Sequence, residues 1–109
     1  MILGMHAVVF ITVGCKEEAK KIAQELVDKG LAACVNIIDG IESVFFWQGK
    51  TEITSENLLL VKTTKDKLEL LTKKVRELHS YSVPEIIWLN LDGGLKEYLD
   101  WVKKSTERV

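Results

Sequence analysis

From Ala32 to Trp47 the chain reads as one extended stretch interrupted at Asp39-Gly40. Gln48-Gly49 then turns it into a second extended stretch ending in Leu58-Leu59-Leu60-Val61-Lys62. At roughly 3.3 Å per residue the first arm spans about 50 Å, whereas a helix of about 14 residues at 1.5 Å per residue spans about 21 Å. The hairpin tip must therefore outrun any helix packed on it. Asp39-Gly40 is also a tight-turn dipeptide, but a turn there would leave Phe45-Phe46-Trp47 without a partner. A β-bulge is expected instead.

The elements around the hairpin follow from periodicity. Ala7 to Val13 is short, β-branched and closed by Gly14, as a strand would be. Lys16 to Lys29 carries Ala19, Ile22, Ala23, Leu26 and Val27 at helical spacing, with Gly30 as the stop. Thr63-Thr64 is expected to cap a second helix with the stripe Leu68, Leu71, Val75 and Leu78, ending near His79. Val83-Pro84 ends any helix there. Glu85 to Leu91 reads as a fourth strand, Gly93-Gly94 as a loop, and Leu95, Tyr98, Leu99 and Val102 as a short final helix. The order β-α-β-β-α-β-α predicts an α+β, ferredoxin-like split β-α-β sandwich with both main helices on one face of an antiparallel sheet.

That plan leaves a face to cover. Ala7 to Ile11, Leu58 to Val61 and Ile86 to Leu89 are apolar at consecutive positions, hence on both faces. Together with Val44, Phe45, Phe46 and Trp47 at the tip, they predict association through the sheet face and hairpin. The alternative is that the last helix folds back over the second face.

With 109 residues, a single domain over 1–109 is expected. A formal charge of -1, with no block of like charge, gives no reason to expect nucleic acid as a partner. No apolar run reaches the roughly 18 residues of a membrane span, and Met1 to Met5 lacks the features of a signal peptide, so no membrane partner and a cytoplasmic location are expected. Cys15 and Cys34 cannot form a disulfide framework. Cys34, in Leu31-Ala32-Ala33-Cys34-Val35, reads as a small core hydrophobe, and His6 as a solvated residue near the terminus.

Six segments carry a family resemblance. Leu31 to Ile37, Gly40 to Ser43, Trp47-Gln48-Gly49-Lys50, Leu59 to Thr63, Val83 to Ile87 and Tyr98 to Trp101 resemble, in order and spacing, the CutA, or divalent-cation-tolerance, family. The resemblance implies a ferredoxin-like protomer in a tight homotrimer, similar in architecture to PII-type signalling proteins. It also implies no enzymatic activity, a link to copper(II) or another divalent cation, and no organic cofactor. The family usually has His-Pro-Tyr-Glu where this chain has His79-Ser80-Tyr81-Ser82, and Cys15 is not a family residue.

The candidate metal ligands are His79, Glu85 and Cys15. Imidazole suits copper(II), and a thiol at a helix start is held toward thiolate, although Cys15 lacks the second cysteine of a Cys-x-x-Cys pair. Lys62, Tyr81 and Glu85 are the candidate cleft residues, and Phe45, Phe46 and Trp47 the candidate trimer interface. The expected function is a homotrimeric divalent-cation tolerance protein that binds copper(II) or another divalent metal weakly. The alternative is a PII-like regulatory module binding a small ligand or partner between subunits. An acylphosphatase-type enzyme is disfavoured because the arginines are Arg76 and Arg108, neither near a phosphate-cradling loop. RNA binding through the sheet is disfavoured because the third strand offers Leu58 to Val61 rather than aromatics.

Overall fold

A computed structural model describes residues 5–107. Along them run β1 (His6–Val13), α1 (Lys16–Asp28), β2 (Cys34–Trp47), β3 (Lys50–Thr64), a 3-10 turn (Lys65–Lys67), α2 (Leu68–Leu78), β4 (Ile86–Asn90) and α3 (Lys96–Glu107). The strands form one antiparallel sheet in the order β2-β3-β1-β4. This is the ferredoxin-like order that the element sequence predicts, with β1 and β3 central.

The core lies between α1, α2 and one face of the central strands. Ala7, Val9, Ile11 and Val13 alternate inward on β1, Leu59 and Val61 on β3, and all are fully buried with Ile22 and Leu26 of α1 and Leu71 and Val75 of α2. On the opposite face Val8, Phe10, Leu58 and Leu60 are only half-buried. The final helix supplies part of the missing cover. Val102 and Thr106 of α3 are buried, Thr106 Oγ1 lies 3.4 Å from Thr64 Oγ1, and His6 Nε2 donates to Leu99 O at 2.9 Å. Ile87 and Leu89 of β4 stay exposed.

Beyond the core, β2 and β3 continue as a paired arm, and the longest axis of the molecule is 46 Å. The register passes from Ile38↔Leu58 to Ile41↔Glu56, so Asp39-Gly40 is a bulge, as expected, with Gly40 at φ 71. The tip closes on Gln48 (φ 49) and Gly49 (φ 82) between the paired Trp47 and Lys50. Two successive positive φ values match the right-handed twist of the strands. Past the bulge, Val44↔Ile53 and Phe46↔Thr51 share one face, while Ser43↔Thr54 and Phe45↔Glu52 share the other. Val44, Phe46 and Ile53 are 64%, 74% and 65% exposed, so one face of the arm is an apolar stripe in water.

Three local expectations need correction. Thr63 and Thr64 end β3, because β1 pairs as far as His6↔Thr64, and although Thr64 stands at the N-cap position of the following 3-10 turn, its side chain makes no capping hydrogen bond. Thr63 Oγ1 donates to Leu31 O at 2.7 Å and Thr64 Oγ1 to Asp66 Oδ1 at 2.6 Å, and α2 begins only after the 3-10 turn. Cys34 is a half-buried residue opening β2, paired with Lys62 and with its Sγ 4.0 Å from Asn36 Oδ1, rather than part of the core. His6 is half-buried and tied to α3 rather than solvated.

Candidate ligand-binding cleft

The segment between α2 and β4 is anchored by His79. As C-cap of α2, its backbone N–H donates to Val75 O at 2.8 Å, and its side chain is fully buried. Nε2 lies 2.7 Å from Thr12 O, so this nitrogen carries the proton and donates to the carbonyl of β1. Nδ1 then holds the lone pair and accepts the Tyr81 backbone N–H at 3.1 Å. Glu18 of α1 reaches over the same loop, its Oε2 accepting from Ser80 N and Ser80 Oγ, both at 3.1 Å. The imidazole is thus a two-ended strut that ties the loop to the sheet.

The strut sets the place of Tyr81. Its ring lies against the His79 ring, centroids 4.7 Å apart, and its hydroxyl donates to Glu56 Oε2 at 2.8 Å. Gly14 makes room for it, since a Cβ at that position would stand 2.9 Å from the Tyr81 hydroxyl oxygen. Burial, then the hydrogen bond and charge of Glu56, then the charge of Glu18, push the Tyr81 hydroxyl up to about 12. It therefore remains a donor throughout the neutral range.

Between this loop and the inner face of the arm lies a cavity of about 810 Å³. Its walls include Phe45, Trp47 and Tyr81 together with Glu52, Glu56 and Glu85, and among the described residues no lysine, arginine or histidine lines it. Lys50 pairs with Glu52 at 3.6 Å, while Glu56 is only 6% exposed and has no basic partner among the described residues.

The expected site residues divide. Tyr81 and Glu85 line the cavity, as do Phe45 and Trp47, whereas Phe46 lies on the opposite face of the arm. Lys62 does not line it: six residues along β3 from Glu56, or roughly 20 Å, it pairs with Val8 and Cys34. Cys15 is the N-cap of α1, its Sγ accepting Glu18 N–H at 3.4 Å, and does not line the cavity. His79 has both nitrogens committed to the backbone and no lone pair for a metal. His79, Glu85 and Cys15 thus do not fit the expected copper centre, and among the described residues no three His, Cys, Asp or Glu side chains form a group that could hold a metal ion. Sequence reasoning missed Glu18 and Gly14. Glu18 is 62 residues from Ser80, and nothing local announces the contact.

Comparison with known proteins decides the lineage. Residues 7–105 match the family model for the CutA1 divalent ion tolerance protein. The chain belongs to the CutA1 family. A chloroplastic CutA protein of Arabidopsis thaliana is 50% identical over 91% of this chain, which spans 54% of that relative. The chain thus covers about half the length of the plant relatives it matches. The solved divalent cation tolerance protein of Thermus thermophilus is 48% identical, with a TM-score of 0.91 over 93% of this chain and 98% of its own. A CutA structure from Archaeoglobus fulgidus, described as periplasmic, is 42% identical with a TM-score of 0.91 over 94% of this chain and 99% of its own. These relatives correct one expectation. With CutA1 proteins described as chloroplastic and as periplasmic, the cytoplasmic location drawn from the missing signal features is not supported. No helix among the described residues is long and apolar enough to cross a membrane.

Proposed function

We propose that this CutA1 chain serves divalent-cation tolerance as a homotrimeric, non-enzymatic, PII-like module that binds a small ligand in the cleft beside Tyr81. The observation that carries this reading is the commitment of both His79 nitrogens to Thr12 and Tyr81. The residue best suited to copper(II) thereby shapes the cavity wall instead of offering a lone pair. A cavity of about 810 Å³ with aromatic walls and a few polar groups is in the range of small-molecule sites. The names of the relatives support the link to divalent cations. The cation then acts through the trimer's ligand or partner rather than through a chelating centre at His79.

The test combines copper titration with thermal-shift profiling. Copper(II) is titrated into wild type and His79→Gln, with folding of the variant checked by circular dichroism, while a metabolite panel is screened in metal-free buffer. Copper affinity is expected to be modest and unchanged by His79→Gln, and at least one metabolite should stabilise the protein without metal. Loss of copper binding in folded His79→Gln, with no stabilising metabolite, would overturn the reading and restore His79 as a ligand.

A further inference from the structure

We propose that His79 is a proton-operated latch for the loop between α2 and β4: a second proton on its ring, at Nδ1, turns that nitrogen from Tyr81 to Glu18 and frees the loop. The latch acts on the loop itself, whatever the cleft binds. Both partners of the neutral ring are backbone groups of fixed sense. A carbonyl can only accept, so Thr12 O at 2.7 Å places the proton on Nε2. An amide N–H can only donate, so Tyr81 N at 3.1 Å requires a lone pair on Nδ1. The side chain is fully buried, so a hydrogen bond lost there is not simply exchanged for one to water.

A third partner stands beside the second. Glu18 Oε2 lies 3.5 Å from Nδ1, at ion-pair distance, yet the neutral ring has no proton there to offer it. Once Nδ1 takes a proton from water, two donors face each other at the Tyr81 N–H, whereas the carboxylate gains a charge-assisted bond. Among the described residues, the titratable groups facing the ring are Glu18 from α1, the Tyr81 phenol of its own loop with centroids 4.7 Å apart, and beyond that phenol Glu56 from β3; β1 presents the Thr12 carbonyl. Two of them are carboxylates, so a charged ring meets charge of opposite sign. Glu18 Oε2 also accepts from Ser80 N and Ser80 Oγ, and turning to His79 loosens that hold as well. Ser80 and Tyr81 thus lose their anchors together, and with Tyr81 goes the wall of the cavity that it forms.

The experiment follows ring and loop together by NMR on the full chain, uniformly 15N-labelled, in buffer containing a chelator. The pH is lowered from about 8 to about 5, the range in which histidine side chains change charge, and His6→Gln separates the two histidine signals. The Nδ1 signal of His79 is expected to pass from that of a lone-pair nitrogen to that of a protonated one. Over the same interval the protection of the Tyr81 amide against hydrogen exchange should fall at least tenfold, while Val9 and Val61 in the central strands keep theirs. Glu18→Gln, which keeps an acceptor for Ser80 but not the charge, should move both changes to lower pH. His79→Gln should abolish the Tyr81 response. A ring that stays neutral down to about pH 5, or one that gains a proton without loosening Tyr81, would overturn the latch. So would a Tyr81 response that persists in folded His79→Gln, which would assign it to a carboxylate, and so would an unchanged midpoint in Glu18→Gln, which would remove the exchange of partners.

Discussion

His79 illustrates what a residue type conveys and what only its surroundings settle. Imidazole after a helix, followed by a phenol and a carboxylate, is legible as a polar cluster. That Nε2 donates to Thr12 O and Nδ1 accepts from Tyr81 N–H depends on β1 lying beside the loop, a contact 67 residues apart in sequence. The same geometry fixes Tyr81, whose behaviour in alkali gives a prediction. Its hydroxyl is pushed from the usual 10 to about 12, first by burial and then by Glu56 and Glu18. Above about pH 10 the unfolded chain releases this proton while the folded chain keeps it, so stability present below that pH is lost as pH rises to about 12. Tyr81→Phe should flatten this alkaline arm of a urea-unfolding pH series. The arm should not vanish, since burial and Cys34 also raise the Tyr98 hydroxyl. At neutral pH the same substitution removes a hydrogen bond to a charged group at a partly exposed site and should cost about 1 kcal/mol. An unchanged alkaline limb would show that the Tyr81–Glu56 bond does not persist in solution.

At the scale of elements, the hairpin was legible and the start of α2 was not. Gln48-Gly49 and Asp39-Gly40 announce themselves because positive φ narrows the choice of residue, and both lie where glycine relieves the backbone. Thr63-Thr64 was half legible: Thr64 stands at the N-cap position of the 3-10 turn, but without a capping hydrogen bond and as the last residue of β3. The competing demand, pairing of β1 with β3 out to His6↔Thr64, comes from a strand more than 50 residues away. The bulge offers a clean substitution. Gly40 sits at φ 71, and a Cβ added there would meet nothing within 4 Å, so any penalty is conformational rather than steric crowding. Gly40→Val should cost about 1–2 kcal/mol, since a β-branched residue strongly resists the left-handed region. Gly40→Asn, which tolerates that region, should cost clearly less. Equal losses in the denaturation midpoints of the two variants would mean that the bulge rearranges when glycine is replaced.

The whole molecule poses the question of cover. Opposite the helices the sheet is only partly closed by α3, and Ile87 and Leu89 stay exposed on β4. The arm adds Val44, Phe46 and Ile53 on the face opposite Phe45 and Glu52. Sequence reasoning foresaw both exposures from consecutive apolar positions and from the length of the arm. It set α3 against self-association as alternatives, whereas α3 covers one end of the sheet and leaves the rest, because a 12-residue helix spans only about 18 Å. Exposed apolar surface of this kind is uncommon on a soluble monomer, and a cyclic assembly lets each copy bury the arm of the next. The expected result by light scattering is about 37 kDa, three times the 12.3 kDa chain. Val44 and Ile53 of the stripe also line the cavity, so Phe46 is the stripe residue that tests assembly apart from the cleft. Phe46→Glu, on the outer stripe, should shift the mass toward the monomer and lower the melting temperature, since a charge cannot be buried there without a partner. Glu52→Gln, on the cleft face, should leave the mass unchanged. A monodisperse monomer at micromolar concentration, or a Phe46→Glu variant with the wild-type mass, would mean that the stripe remains in water and that the outer face of the arm does not hold copies together.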